Sequence, residues 1–475
     1  MSVQILLQGK LAGAAGFLLS GAPEELLLTG RSHWVSLLSE VLPRALIAEL
    51  GLSRILLGSS GGGQFLAVLP GEFRARADEF LAAARAGIET ISQGRLHLLW
   101  SITENLGDWT VVRKRLNDDL QSQINTPLAS SGAPFPDPQT DPDVSLVELA
   151  VRLKDAGTVS WSPEAPAVIS TGPGKHAWPL GSSADSIPFA RHTALADDGH
   201  HIADAGTLAR RAQGRPVWGV LRGDVDNFGI RIRRVQTIEE HVQLSVLYKQ
   251  FFAGELEVLC SLPEFWRKVN LIYTGGDDFA LYGAWDALIS FARELQRLFQ
   301  RFGEEHLKDF PGPEGKTLTM ALALAPDLES SLGSVYEIAG DRLDIAKCTS
   351  KDCLSLLGRV LEWKQLADAA DLKDQLARMV DEFGVPAQYL RDLCGIYRDS
   401  RRGPAPESGR GRRVERPWRF HRRLNHILGV SRSRDFQKAR NALVTDLAGR
   451  NTANLKLRPS GRVALEWARL STDST

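Results

Sequence analysis

The sequence is poor in cysteine, in long apolar runs and in net charge. Only 4 of its 475 residues are cysteine, too few for a disulfide framework and typical of a reducing compartment. No stretch approaches the roughly 20 apolar residues that a transmembrane helix needs. The 57 basic and 57 acidic side chains balance, which excludes a surface that is basic throughout. These absences predict a cytoplasmic protein without a membrane partner.

The length predicts several folded domains. At roughly 100 to 200 residues per domain, a chain of 475 residues corresponds to two to four domains. With 43% hydrophobic and 24% charged residues, it has the composition of a globular protein that buries sizeable cores. The chain is therefore too long for a single small binding module.

An internal repeat is the main feature of the chain. Residues 60–65, Ser-Gly-Gly-Gly-Gln-Phe, match residues 274–279, Thr-Gly-Gly-Asp-Asp-Phe, without a gap. Each segment lies between two apolar stretches, a pattern typical of a β-hairpin. The two phenylalanines are 214 positions apart (279 − 65), and the same offset aligns residues 9–10 with residues 223–224. The sequence therefore predicts two copies of one structural unit.

The predicted elements follow one order in both copies. This β-α-β-β-α-β order is that of the ferredoxin-like split unit, which palm domains of nucleotide polymerases and cyclases use. For the first copy we expect a strand near residue 5, a helix at 33–50, a hairpin at 54–70, a helix at 73–93 and a strand at 94–102. For the second we expect a strand at 217–224, a helix at 237–260, a hairpin at 269–283, a helix at 285–302, a strand at 317–324 and a helix at 331–347. The predicted fold class is α+β with two ferredoxin-like palm domains.

Shifts in composition divide the chain into four predicted domains. The proline-rich stretch 130–143 interrupts helices and strands and opens a linker. The predicted domains are a degenerate palm at 1–125, a linker domain at 126–215, a catalytic palm at 216–362 and a helical C-terminal domain at 363–475. The sequence does not indicate a function for residues 144–215.

An arginine-rich segment interrupts the C-terminal domain. Residues 398–423 contain ten arginines and three acidic residues, in a chain without net charge. Arginines interleaved with Trp418 and Phe420 are typical of a surface that binds RNA phosphates and stacks on bases. The alternatives are a contact with a protein partner and a basic linker between helices.

Three acidic side chains of the second copy are predicted to meet at the ends of neighbouring strands. Asp224 ends the first strand, and Asp277 and Asp278 follow two glycines in the hairpin turn. Carboxylate oxygens are the ligands that Mg²⁺ or Mn²⁺ prefers, and the glycines let the backbone approach a triphosphate. Two such ions activate an attacking hydroxyl and stabilise charge on an α-phosphate. Asp226 faces the other side of the strand, and its role as ligand or structural cap stays open.

The first copy cannot hold ions in this way. Its three equivalent positions carry Lys10, Gly63 and Gln64. A duplicated palm with one acidic and one neutral turn predicts an asymmetric pair, in which one half does the chemistry and the other holds a second substrate molecule. The alternative is that residues 61–63 only form a loose hairpin turn.

These motifs resemble a known family. The Gly-Gly-Asp-Asp turn at 275–278, the strand end Gly-Asp-Val-Asp-Asn-Phe-Gly at 223–229 and the degenerate first copy are similar to the large palm-containing subunit of type III CRISPR effector complexes. Residues 344–351, Asp-Ile-Ala-Lys-Cys-Thr-Ser-Lys, are similar to the lysine-bearing segment before the last palm strand of that family. The resemblance covers most of the chain. The motifs are specific only together, since such turns also occur in stand-alone cyclases.

The resemblance implies an RNA-activated nucleotidyltransferase of antiviral defence. Target RNA, recognised by a CRISPR RNA held in partner subunits, would switch on the palm, which joins ATP molecules 3′ to 5′ into cyclic oligoadenylates. Asp224, Asp277 and Asp278 are then the catalytic ligands of two Mg²⁺ or Mn²⁺ ions. The implied nucleotide-binding residues are Ser60, Gly61, Gly62, Gly63, Asn227, Phe228, Gly275 and Gly276, with Lys347 and Lys351 as phosphate partners or solvated charges.

The sequence departs from the family in two places. No histidine precedes an aspartate, so we expect the chain to lack the HD nuclease domain of many members and to have no DNase activity. Residues 144–215 contain no cysteine, so a zinc ribbon between the palms is not expected. Three alternative functions stay open: coupling of ATP to a different acceptor, a GGDEF-type dinucleotide cyclase, and a mainly scaffolding RNA-binding subunit.

Overall fold

The computed structural model describes residues 3–125, 142–399 without 182 and 184, 422–423, 425–429, 433–448 and 459–472. The predicted proline-rich stretch 130–143 and the arginine-rich segment 398–423 lie outside the described residues except at their ends. Within the described ranges, no helix has the length and apolar character needed to cross a membrane.

The first sheet unit is an antiparallel sheet covered by helices. Its elements are β1 (Gln4–Ala12), α1 (Ala14–Leu19), α2 (Glu25–Glu49), β2 (Leu57–Gly61), β3 (Gln64–Pro70), α3 (Arg74–Ile91), β4 (His97–Glu104) and α4 (Trp109–Asn125). The strands lie in the order β2-β3-β1-β4, which is the order of a β-α-β-β-α-β unit. The predicted strands and hairpin agree with the structure to within a few residues.

The helix predicted at 33–50 begins earlier than expected. Helix α2 starts at Glu25, and its first half buries polar side chains such as Arg31 and His33 as well as apolar ones. A helix that is buried on nearly every face lacks the polar and apolar periodicity by which a sequence reveals a helix. The additional buried face is covered by α5 (Pro142–Leu153), and Arg31 pairs there with Asp143 at 2.9 Å.

The segment between the two units packs onto both of them, its first part onto the first unit and its last part, around Leu208, onto the second. After α5 it forms β5 (Thr158–Trp161), β6 (His176–Pro179) and α6 (Ala205–Arg210). Leu146, Leu149 and Trp161 belong to the same buried core as the first sheet. The indole Nε1 of Trp34 donates to the Ala167 carbonyl oxygen at 2.9 Å. The first part of this region, whose function the sequence does not indicate, therefore completes the core around α2.

The second sheet unit repeats the order of the first and extends it. Its elements are β7 (Trp218–Val225), α7 (Phe228–Arg234), α8 (Ile238–Gln250), α9 (Leu256–Cys260), β8 (Val269–Thr274), β9 (Asp278–Ala284), α10 (Trp285–His306), β10 (Leu318–Leu324), α11 (Leu332–Thr349), β11 (Cys353–Leu356) and β12 (Arg359–Glu362). The strand order is β12-β11-β10-β7-β9-β8. The single helix predicted at 237–260 is interrupted, because a π-helical turn, Phe251–Glu255, separates α8 from α9.

Strand register confirms the predicted offset of 214 residues. Gly9 lies opposite Phe65 in the first sheet, and Gly223 lies opposite Phe279 in the second. In both pairs the ring covers the glycine: a β-carbon on Gly9 would lie 2.1 Å from the Phe65 ring, and one on Gly223 would lie 2.4 Å from the Phe279 ring. The next pair on each strand holds the side chains in which the copies differ, Lys10 with Gln64 and Asp224 with Asp278.

The C-terminal region is helical in its described part. It contains α12 (Trp363–Asp381), α13 (Gln388–Asp399), α14 (Arg434–Ala448) and α15 (Pro459–Thr472). Leu366 of α12 and Leu465 of α15 share one buried core with Phe279 of the second sheet. These helices contact the edge strands β11 and β12, at the other end of the sheet from the β8–β9 hairpin.

Candidate functional site

The two hairpin turns meet tip to tip. Gly61, Gly62 and Gly63 between β2 and β3 have φ angles of 118°, 59° and 72°, a region that favours glycine. A β-carbon on Gly62 would lie 3.0 Å from the backbone nitrogen of Gly276, between β8 and β9. The two turns that the repeat predicts as equivalents therefore face each other through backbone atoms.

A cavity of about 520 Å³ lies between the two units at this contact. Its volume is within the range of small-molecule sites. Seven predicted site residues line it: Ser60, Gly61, Gly62, Phe228, Gly275, Gly276 and Asp277. Aromatic side chains from both units, Trp109, Phe189 and His241, form another part of its wall. The space is thus walled by glycine backbone on one side and by rings on the other.

A second cavity of about 520 Å³ lies on the other side of the acidic turn. Asp224, Asp278 and Lys347 line it. Lys347 Nζ pairs with Asp224 Oδ1 at 2.7 Å, and the Tyr273 hydroxyl donates to Asp278 Oδ2 at 3.0 Å. The three predicted aspartates therefore face two different cavities, because Asp277 lines the cavity between the units and Asp224 and Asp278 line the second one.

All three aspartates have raised pKa values. Burial and then the charges of Asp278 and Asp224 raise the pKa of Asp277 to about 7. Burial raises the pKa of Asp278, with Asp224 adding to the effect and the Tyr273 hydrogen bond opposing it. Burial also raises the pKa of Asp224, although Lys347 opposes it. These neighbouring carboxylates lie near one lysine, and a further bound cation would reduce the repulsion between them.

The donor set suits a hard divalent cation, because it consists of carboxylate oxygens. In the part of the chain that the structure describes, no group of three or more His, Cys, Asp or Glu side chains is arranged to hold a metal ion. Asp224 instead bonds to Lys347, and Asp277 faces a different cavity from Asp278. Their role as metal ligands therefore stays a prediction.

Asp226 is a structural residue. Its side chain is buried and accepts hydrogen bonds from the hydroxyls of Thr317 and Thr319, each at 2.7 Å. The backbone N–H of Asp352 donates to it at 3.0 Å. These three bonds hold the carboxylate on the face opposite Asp224, as the alternation along a strand predicts. Of the two roles that the sequence left open, the structure supports the cap.

The remaining predicted residues surround the acidic turn. Asn227 has a φ of 58° and precedes α7, and Lys351 Nζ bonds to its side-chain oxygen. The Phe228 ring packs edge-on against Tyr248, with centroids 4.8 Å apart. Lys347 is not a solvated charge, because it pairs with Asp224. Gly63, Asn227 and Lys351 lie outside the walls of both cavities.

One polar cluster at the cavity was missed by sequence reasoning. Lys249 Nζ, from α8, lies 2.5 Å from Glu40 Oε1, and Arg44 Nη1 lies 2.7 Å from Glu40 Oε2. The Ser60 hydroxyl donates to Glu40 Oε2 at 2.8 Å and accepts from Lys249 at 3.1 Å. Burial alone would raise the pKa of Glu40, but Lys249 and then Arg44 hold it below its usual value.

This cluster joins side chains 209 positions apart, so that no local pattern reveals it. The available signal was a pair of charges, Glu40 and Arg44, inside the otherwise largely apolar run at 34–47. Charged side chains are rarely buried without partners. Such a pair therefore predicts a buried ion pair, although not its partner on α8.

Comparison with known proteins identifies the class of the second unit. Residues 217–355 match the family model "Cas10/Cmr2, second palm domain". These residues span the strands, the hairpin and the acidic turn described above. The second unit is thus similar to the second palm domain of Cas10/Cmr2.

Relatives and solved structures extend this finding. A curated relative, the CRISPR system single-strand-specific deoxyribonuclease Cas10/Csm1 (subtype III-A) of Enterococcus italicus, is 30% identical over 169 residues, which are 34% of this chain and 20% of the relative. A Csm1-Csm4 cassette in complex with cA3 matches with a TM-score of 0.72 and 16% identity, over 99% of this chain and 70% of that one. The cassette in complex with AMPPNP matches with a TM-score of 0.66 and 17% identity, over 83% of this chain and 62% of that one.

These comparisons confirm the resemblance to the palm-containing subunit of type III CRISPR complexes. The matched region spans about a fifth of the length of the curated relative. At 16–17% identity, the similarity to the solved cassettes concerns the fold. The α+β architecture of the chain is therefore that of Csm1, whereas its activity is inferred from its own site.

Proposed function

We propose that the chain is the nucleotidyltransferase of a type III CRISPR complex and joins ATP molecules 3′ to 5′ into cyclic oligoadenylates. The observation that carries this proposal is the meeting of a neutral glycine turn and an acidic turn at one cavity, with Gly62 against Gly276. Two nucleotides held by the two turns would lie next to each other. The solved Csm1-Csm4 cassettes in complex with AMPPNP and with cA3 support nucleotides as ligands of this fold.

The two units have different roles in this proposal. We assign the first unit as a degenerate palm that holds the acceptor nucleotide, and the second as the catalytic palm. Two Mg²⁺ or Mn²⁺ ions bound by Asp224, Asp277 and Asp278 would activate the 3′-hydroxyl and neutralise the triphosphate. Asp277 lines the cavity between the units, the side from which an acceptor hydroxyl would approach. Asp224 and Lys347 line the second cavity, which we assign to the triphosphate.

The partners belong to the same proposal. The solved relatives are Csm1-Csm4 assemblies, which supports other type III subunits as partners of this chain. CRISPR RNA and target RNA are proposed as the activating partners. The arginine-rich segment 398–423 is proposed as an RNA contact, and the division into domains at 125, 215 and 362 also stays a proposal.

Mass spectrometry of the products tests the proposed function. The complex assembled on this chain is incubated with ATP, Mg²⁺ and matching target RNA, and with non-matching RNA as the control. We expect cyclic oligoadenylates only with matching RNA. A cyclic dinucleotide formed without RNA would support the GGDEF-type alternative. Adenylate joined to another molecule would support a different acceptor, and the absence of nucleotide turnover would support a scaffolding subunit.

A further inference from the structure

The first unit has no carboxylates at the positions that would hold a divalent cation. Lys10 and Gln64 pair across its strands where Asp224 and Asp278 pair in the second unit. A nucleotide held at the glycine turn still brings the negative charge of its phosphates. Phosphates in protein sites are neutralised by metal ions, by cationic side chains or by backbone N–H groups. The first unit therefore needs a source of positive charge other than a bound divalent cation.

The cluster of Glu40, Arg44, Ser60 and Lys249 lies at this turn. Glu40, Ser60 and Lys249 line the cavity between the units, next to Gly61 and Gly62. A β-carbon on Gly61 would lie 3.0 Å from Glu40 Oε1, which puts the carboxylate directly behind the turn. The cluster contains two cationic side chains and one carboxylate, so it carries a formal net charge of +1 (2 − 1). Its excess charge lies where the phosphates of an acceptor nucleotide would be.

Lys249 is the member that can reach a ligand. Its side chain is 16% exposed and lines the cavity, whereas the Glu40 side chain is 5% exposed. A lysine has three donors on a flexible stem, so it can turn from one acceptor to another. Lys249 belongs to α8 of the second unit, yet it bonds to the first unit. A ligand that accepts from Lys249 would therefore contact both units at once.

We propose that Lys249, with Ser60, binds the phosphates of the nucleotide at the first turn without a divalent cation, while Arg44 stays paired with Glu40 behind the turn. Glu40 holds Lys249 in place before the nucleotide arrives and competes with the phosphates for it. The inference rests on the proposed function, because it names the phosphate-binding residues of the acceptor site. It assigns a different binding mode to each turn, metal-dependent at the acidic turn and metal-independent at the glycine turn.

Calorimetric titration of the full chain with α,β-methylene-ATP tests this inference, since this analogue cannot be joined at its α-phosphate. We expect two nucleotides per chain in Mg²⁺ and one in EDTA. Lys249→Gln should weaken the binding in EDTA by about tenfold or more, the usual effect of losing a hydrogen bond to a charged group. It should leave one Mg²⁺-dependent nucleotide bound. Lys268→Gln is the control, because Lys268 also forms a partly buried ion pair, at 2.9 Å from Asp286, and does not line the cavity.

Glu40→Gln separates phosphate binding from a purely structural role. Removing the competing carboxylate should tighten nucleotide binding in EDTA. If the ion pair were only structural, Lys249→Gln and Glu40→Gln would both weaken nucleotide binding. Weaker binding in both, with lowered melting temperatures, would overturn the inference. So would the absence of binding by the unaltered chain in EDTA, a measurement that needs no substitution. Retention of the Mg²⁺-dependent nucleotide after Asp277→Ala and Asp278→Ala would instead contradict the proposed function and leave this inference standing.

Discussion

The two hairpin turns share a register but need glycine for different reasons. In the first turn, Gly61, Gly62 and Gly63 have positive φ angles, so the backbone itself requires glycine. In the second, a β-carbon on Gly275 would lie 2.0 Å from Asp278 Oδ1, so the glycine makes room for a carboxylate. The two copies of the fold thus both keep glycine in the turn, although the first needs it for its backbone conformation and the second needs it to make room for a side chain. The predictions below test this difference.

The largest effect is expected at the acidic turn. Replacing Asp277 and Asp278 with asparagine keeps the shape of the turn and removes both charges. Loss of a two-metal site removes several kcal/mol of transition-state stabilisation, which corresponds to a rate roughly a thousandfold lower or more. RNA binding should not change. Turnover by the assembled complex and a filter-binding assay measure the two properties, and unchanged turnover would remove the chemistry from this hairpin.

The two glycines of the acidic turn form a matched pair. Gly275→Ala should displace the Asp278 carboxylate, because the new β-carbon would overlap it. Gly276→Ala meets nothing within 4 Å and should leave that carboxylate in place. We expect turnover to fall by about tenfold or more in the first variant and by less in the second. Equal losses would mean that the turn needs glycine for its backbone, as the first turn does.

Gly62→Ala tests whether the first turn holds a nucleotide. The side chain would lie 3.0 Å from the Gly276 nitrogen, and a φ of 59° strains any β-carbon by roughly 1–2 kcal/mol. Gly51→Ala is the control, because Gly51 has a φ of 69° but no neighbour within 4 Å. We expect product to fall only in the Gly62 variant, while one Mg²⁺-dependent nucleotide stays bound. Normal product formation would reduce the first turn to a structural element.

The pH dependence of stability should separate the two turns further. The pKa of Asp277 is raised to about 7 in the metal-free protein, so its stabilising contribution is present below the unfolded pKa and is lost as the pH rises to about 7. Mg²⁺ should therefore raise the melting temperature more at pH 8 than at pH 5. Asp277→Asn should reduce this difference. Thermal melts with Mg²⁺ or EDTA check it, and a Mg²⁺ effect independent of pH would contradict the raised pKa.

The smallest effect concerns DNA. The curated relative is named as a single-strand-specific deoxyribonuclease, but in this sequence no histidine is followed directly by an aspartate. We therefore expect no detectable cleavage of single-stranded DNA by this chain in Mn²⁺. A fluorescent oligonucleotide assay measures it, with the Asp277 and Asp278 variant as control. Cleavage that persists in this variant would indicate a nuclease site outside the acidic turn.

The repeat made much of the fold predictable. The offset between the turns fixes strand register, and the Gly9 and Gly223 contacts confirm it. The start of α2 at Glu25 was not predictable, because a helix buried on nearly all faces has no amphipathic pattern. The pairing of Glu40 with Lys249 depends on how two distant helices pack.

The sequence predicts that the three aspartates lie at the ends of neighbouring strands, but it does not predict the direction in which each side chain points. Spacing fixes which residues share a face of a strand, and the side chains of a turn do not follow that alternation. Asp277 precedes β9 and lines the cavity between the units, whereas Asp278 is the first residue of β9 and pairs with Asp224. Only the folded chain distinguishes the two.

The contact between Gly62 and Gly276 also bears on how such a protein is switched. With no side chain between the tips, the spacing of the two nucleotides in the proposed reaction would depend directly on the separation of the units. A shift of about 1–2 Å, the scale of helix movements in regulated proteins, would bring a hydroxyl into or out of reach of its phosphate. A distant binding event could then start or stop the reaction while every catalytic side chain keeps its local geometry. In the proposed function, the distance between the two tips would then decide whether the enzyme is active.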